Sequence, residues 1–146
     1  MWSLALTGWL VLAALCCVIC YQDFSKRRIS NRVVSLVAVV TALLLIYLHN
    51  YAVLPYSLLL LLIGFVLFLF KFIAGGDIKL LVAFSLAIKA QFLPLTLVII
   101  MLSGGALALS YYLFGLLTDL DKVKARGIPY GIPICLGCLF GVAASL

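Results

Sequence analysis

Long apolar runs alternate with short polar breaks along the whole chain. The first run extends from about Trp2 to Tyr21 and is followed by the polar stretch QDFSKRRISNR. A second run covers Val33 to Leu48, and the proline-marked turn HNYAVLPY leads into a third from about Ser57 to Ile73. Gly75, Gly76 and Asp77 then precede a shorter run, Ile78 to Ile88. KAQFLP interrupts it before a long run from Leu95 to Leu117. After the connector TDLDKVKARG, a last apolar segment begins at Ile128. A helix needs roughly 20 apolar residues to cross a hydrocarbon core. The pattern predicts an all-α, polytopic membrane protein of about six transmembrane helices, forming one membrane-embedded domain over residues 1–146.

The fourth run is the short one. Its apolar stretch amounts to about 16 Å of helix, against a hydrocarbon core of about 30 Å. Charge decides between a span and a re-entrant segment. With six spans and the N-terminus outside, Lys26, Arg27, Arg28, Arg32, Lys71, Lys79, Lys122, Lys124 and Arg126 all fall inside and only Lys89 outside. A re-entrant fourth segment moves Lys122, Lys124 and Arg126 to the outer face. The positive-inside rule therefore favours six spans with both termini outside, on the periplasmic side.

Composition narrows the class. Hydrophobic residues make up 68% of the chain and charged residues 10%, with a mean hydropathy of +1.38. A soluble domain carries about 25% charge. The net charge of +6 does not indicate nucleic acid, because the basic residues sit between apolar runs, where they meet anionic lipid headgroups. Met-Trp-Ser-Leu-Ala-Leu offers no basic region before the first run, so that run is expected to remain as a helix rather than be cleaved. Cys16, Cys17, Cys20, Cys135 and Cys138 all lie inside apolar runs. They read as small hydrophobes, not as a disulfide framework or a metal site.

Four acids remain: Asp23, Asp77, Asp119 and Asp121. Asp119 and Asp121 alternate with basic residues in a connector, where charge balance in solvent accounts for them. Asp23 lies just past the cytoplasmic end of the first segment and Asp77 at the cytoplasmic start of the fourth. Two acids thus reach one membrane face at similar depth, where acids are costly and line polar cavities. Brought within a few ångströms they cannot both ionise easily, and a pair sharing one proton can activate water and protonate a leaving amine. Gly75 and Gly76 would allow unusual backbone angles and close approach of a peptide. A helix N-terminus at Asp77 would favour its anion. The same residues also read as an ordinary helix cap beside a juxtamembrane acid.

The local sequences resemble the type IV prepilin peptidases, membrane aspartic proteases of the GxGD class. The first motif of that family is similar to DFSKRRISN, from Asp23 to Asn31, with Ile29 and Asn31 in place and Ser30 where proline is usual. The second is similar to AGGDIKL, with Gly76, Asp77, Lys79 and Leu80 in place and Ala74 where glycine is usual. IPYGIP supplies a third element in Pro129, Tyr130 and Gly131.

The resemblance implies that Asp23 and Asp77 are catalytic. Ile29, Asn31, Gly75, Gly76, Lys79, Pro129, Tyr130 and Gly131 would support the site. It implies removal of the basic leader from a prepilin or pseudopilin at the cytoplasmic side of the inner membrane. Recognition would rest on the substrate's apolar N-terminal helix and backbone, and no cofactor or metal is expected. Larger relatives also N-methylate the new terminus and carry a zinc-binding cysteine insertion between the first two helices. The short cysteine-free loop here points to a peptidase-only form similar to the Flp, tight-adherence branch. The reading from another class is a transport or pilus-assembly subunit whose acids relay a proton or cation. Lys79 would snorkel to headgroups or bias the charge of Asp77. His49 is expected in a solvated outer loop. Trp2, Trp9, Tyr111 and Tyr112 are expected as interface or packing aromatics. Pro129 and Pro133 would bracket a distorted helix start.

Overall fold

The structure, a computed structural model, describes residues 2–118, 121 and 127–146. Asp119, Lys122, Lys124 and Arg126 lie outside the described residues. The described chain is all helical. The helices are α1 (Trp2–Lys26), α2 (Asn31–Tyr47), α3 (Leu54–Leu69), α4 (Gly75–Ser85), α5 (Leu93–Leu117) and α6 (Gly131–Ser145). Single 3-10 turns at Tyr51–Val53 and Ala90–Phe92 lead into α3 and α5. Pro55 and Pro94 stand in the first turns of those helices, where a missing N–H costs nothing. Three helical segments, Leu4–Lys26, Tyr51–Leu69 and Ala90–Leu117, are long and apolar enough to cross a membrane, and α2 and α6 are shorter apolar helices. The architecture is that of a polytopic membrane protein.

Helices α1, α2, α4 and α6 close a ring, each packing on its two neighbours, while α3 lies outside α4 and α5 outside α6. On α1 the buried stripe is Ala5, Leu12, Cys16, Ile19 and Asp23, the helical spacing of a core face. On α2 it is Val34, Val37, Thr41, Leu44 and Leu45. The lipid-facing sides stay apolar: Leu58, Leu62, Phe65, Leu102 and Leu113 are exposed large hydrophobes, and a bilayer replaces protein as their solvent. Small residues set the close contacts, as expected where helices gain little from expelling water. A Cβ at Gly64 would come within 2.6 Å of Ile78. One at Gly137 would collide with Ile100, and one at Gly141 with Thr96.

The short α4 crosses from one end of the bundle to the other. Its first turn lies at the end that holds the start of α6. Beyond its C-terminus, Asn50 Nδ2 donates to Ile88 O (3.0 Å) and Leu86 O (3.4 Å). Lys89 N–H donates to Ser145 Oγ (2.8 Å). Asn50 follows α2 and Ser145 closes α6, so the chain at Lys89 has reached the end opposite Asp77. A helix of 11 residues is tolerated there because Asn50 and Ser145 satisfy backbone groups just past its C-terminus. Lys26, Arg27, Arg28, Arg32, Lys71 and Lys79 gather at the Asp77 end, and Lys89 at the other.

Two expectations about the first loop are corrected. Helix α1 runs on to Lys26 instead of ending near Tyr21, so Asp23 sits within it, and the break before α2 shrinks to residues 27–30. The mostly polar stretch Gln22 to Lys26 extends the helix because nothing in it stops it until Arg27, whose φ is 52°. The other two described non-glycine residues with positive φ, His49 (51°) and Lys71 (60°), also follow helix ends. Basic residues there meet the negative end of the helix dipole. His49 is exposed, with its ring edge-on to Tyr51.

Candidate active site

Asp23 continues the buried stripe of α1 and is 7% exposed. Its Oδ2 accepts the backbone N–H of Gly131 at 2.7 Å. Gly131 is the first residue of α6, so the carboxyl of α1 caps the N-terminus of another helix, where unpaired N–H groups and the dipole favour negative charge. The absence of a side chain at Gly131 permits this contact. A Cβ there would stand 2.8 Å from Oδ2 and 3.1 Å from Cγ of Asp23. Gly131 follows Tyr130, and buried Pro129 precedes both. The Tyr130 ring lies over Gly104 of α5.

Asp77 is the third residue of α4 and half-buried. Its carboxyl stands within reach of the charge on Asp23. Helices α4 and α6 run in the same direction, pack on each other and present their N-termini at one end of the ring. The two acids, 54 positions apart in sequence, come to the same end of the ring because these helix starts lie there together. Ala74, at the position before α4, has φ −73° and ψ 141°, an extended conformation open to any residue. Departure from glycine at this position imposes no backbone strain.

The glycine reading is corrected in part. Gly75 and Gly76 open α4, and neither has positive φ; among the described glycines only Gly127, at φ 75°, does. Gly75 lies against the Phe68 ring, and a Cβ at Gly76 would meet nothing within 4 Å. Open space at Gly76, beside Asp77, is the feature that a peptide chain could use. Ile29 packs against the core, whereas Asn31 and Lys79 are exposed and Tyr130 is 45% exposed. Ser30 has φ −66°, the value that proline enforces. Its N–H donates to Gln22 Oε1 at 3.1 Å, a bond proline could not make.

Sequence reasoning passed over Arg27 and the role of Tyr111. Arg27 lies one helical turn beyond Asp23, its charge acts on that carboxyl, and its Nη2 donates to Tyr111 Oη at 3.4 Å. The i to i+4 spacing from Asp23 is the signal that could have found it. Trp9 is a packing residue at depth, donating its Nε1–H to Leu139 O at 3.0 Å. Cys16, Cys135 and Cys138 are buried, Cys20 is half-buried and Cys17 is exposed. Cys135 of α6 faces Cys16 and Cys20 of α1. No group of three or more ligating side chains among the described residues is arranged to hold a metal ion.

The profile of the Type IV leader peptidase family matches residues 10–109. That stretch covers more than half of the chain and contains Asp23, Asp77 and the 27–30 turn. The chain belongs to this family. It is therefore a peptidase of the prepilin leader type, built of helices suited to a membrane. No curated protein and no solved structure matches it in direct comparison.

Proposed function

We propose that this leader peptidase is an aspartic endopeptidase in which Asp23 and Asp77 form the catalytic dyad. The observation that carries the reading is the convergence of the two acids at the N-termini of α4 and α6, with Asp23 bonded to Gly131 and close enough to Asp77 for their charges to interact. The hydrogen bond from Gly131 and the neighbouring Arg27 suit Asp23 to carry the negative charge of the pair. Asp77 then holds the shared proton. Asp23 draws a proton from water as it attacks the scissile carbonyl, and Asp77 donates to the carbonyl oxygen. Collapse of the tetrahedral intermediate passes a proton to the leaving amine.

The substrate is a prepilin or pseudopilin, cut between its basic leader and its apolar N-terminal helix. The site lies at the end where Lys26, Arg27, Arg28, Arg32, Lys71 and Lys79 gather, which the positive-inside rule assigns to the cytoplasm. Both termini then lie on the periplasmic side of the inner membrane, and no cofactor takes part. With only residues 27–30 between α1 and α2, the chain works as a peptidase alone, in the manner of the Flp branch. The test is incubation of the reconstituted protein with a prepilin, read by intact mass. One cut that removes the leader and leaves the new terminus unmethylated is the expected result. Intact prepilin, or a methylated product, contradicts the reading.

A further inference from the structure

Arg27 is half-buried beside the dyad, and its guanidinium is only partly satisfied. Nη2 makes the long bond to Tyr111 Oη, and Cζ lies 5.6 Å from the centroid of the Tyr111 ring, within cation–π range. Nε and Nη1 are buried without a hydrogen-bond partner among the described residues. Buried donors are nearly always paired, and an unpaired one carries its full desolvation cost. Lys71 and His49 share the left-handed helix-end conformation of Arg27 but are exposed. The helix stop therefore does not require a basic side chain to turn inward. Tyr111, from α5, holds the Arg27 group one turn from Asp23.

We infer that Arg27 is a substrate-binding residue, whose buried Nε and Nη1 donors take up main-chain carbonyl oxygen of the peptide beside the scissile bond. Charge favours a carbonyl over a carboxylate. A dyad sharing one proton carries one negative charge, which the Arg27 cation balances. A neutral acceptor keeps that balance, while a carboxylate would add an unmatched charge in a partly buried site. A carbonyl contact also orients a peptide whatever its side chains. Tyr111 is the positioning residue, since it touches the guanidinium and not the substrate. The inference rests on the proposed peptidase reading.

The test is steady-state cleavage of a synthetic prepilin segment, leader plus apolar N-terminal helix, by the full detergent-solubilised chain. Arg27→Gln is expected to raise KM about ten- to a hundredfold, the loss of one charge-assisted bond, and to lower kcat as well, because the Arg27 charge also steadies ionised Asp23. Arg27→Lys, which keeps the charge, should leave kcat within about threefold and fall between in KM, and Tyr111→Phe should raise KM about two- to threefold. Should Arg27→Gln fail to fold, the Arg27→Lys and Tyr111→Phe values decide, and an unchanged KM in both overturns the inference. A segment with its acidic side chains converted to amides should keep its wild-type KM. A large rise there would mean that Arg27 takes a carboxylate, contrary to the assignment. Cleavage by wild type with KM unmoved by Arg27→Gln overturns the role of Arg27 alone. A wild type that neither binds nor cleaves the segment overturns the proposed function, and this inference with it.

Discussion

Asp23 Oδ2 accepts the N–H of Gly131 at 2.7 Å, joining the last turns of α1 to the first residue of α6. The bond crosses 108 positions of sequence and places a carboxyl where a helix N-terminus offers its unpaired donors. It fixes Asp23, and the parallel packing of α4 on α6 brings Asp77 to the same end of the ring.

Gly131→Ala tests how tightly that acid is held. The added Cβ would stand 2.8 Å from Oδ2 of Asp23, so the carboxyl or the helix start must move. A displacement of about 1 Å in a catalytic group costs on the order of a hundredfold in rate. Peptidase activity of Gly131→Ala should fall by about that factor while membrane levels stay normal. Gly105→Ala, whose Cβ would meet nothing within 4 Å, should leave activity within about twofold. Wild-type turnover in Gly131→Ala would show that the contact is dispensable.

The serine in the first motif is a local exchange with a measurable signature. Ser30 already has the φ of proline, and Gln22 receives its N–H. Proline there stiffens the unfolded chain but loses one hydrogen bond, and each effect is worth about 1 kcal/mol or less. Ser30→Pro should therefore fold and cleave within about threefold of wild type. Gln22→Ala should destabilise the wild type by about 1 kcal/mol and Ser30→Pro by distinctly less. Equal effects in a thermal-unfolding cycle would mean that the bond contributes nothing.

Much of the fold was legible because lipid demands long apolar runs, and the breaks between them are short and polar. The fourth segment was the difficult one. Its length alone left re-entry open, and Asn50 and Ser145, which satisfy the backbone of Leu86, Ile88 and Lys89, are distant in sequence. The end of α1 was misplaced at Tyr21 because Gln22 to Lys26 are mostly polar, with Phe24 the one apolar residue, and hydropathy does not distinguish a polar final turn from a loop. Asp23 and Asp77 stood out through the scarcity of acids. The bond to Gly131 was not legible, since a glycine before an apolar run carries no mark of what fills the space of its missing side chain. Nor was the setting of Arg27, which one count of cations treats like any other at that face.

Topology follows from the same ends. In a cysteine-free background, single cysteines at Arg28 and Lys71 should react with a membrane-impermeant thiol reagent only after spheroplasts are broken open. Single cysteines at His49 and Lys89 should react in intact spheroplasts. Labelling at Lys89 that requires lysis would place the end of α4 on the cytoplasmic side and contradict the six-span arrangement.

The dyad itself is tested most directly by prepilin processing with Asp23→Asn and Asp77→Asn, each of which removes ionisation while nearly preserving size. Leader removal should vanish in either variant alone, by about 10³-fold or more, with protein levels and helix content unchanged. Full cleavage by either variant, normally folded, would contradict the assignment of these two acids as the catalytic pair.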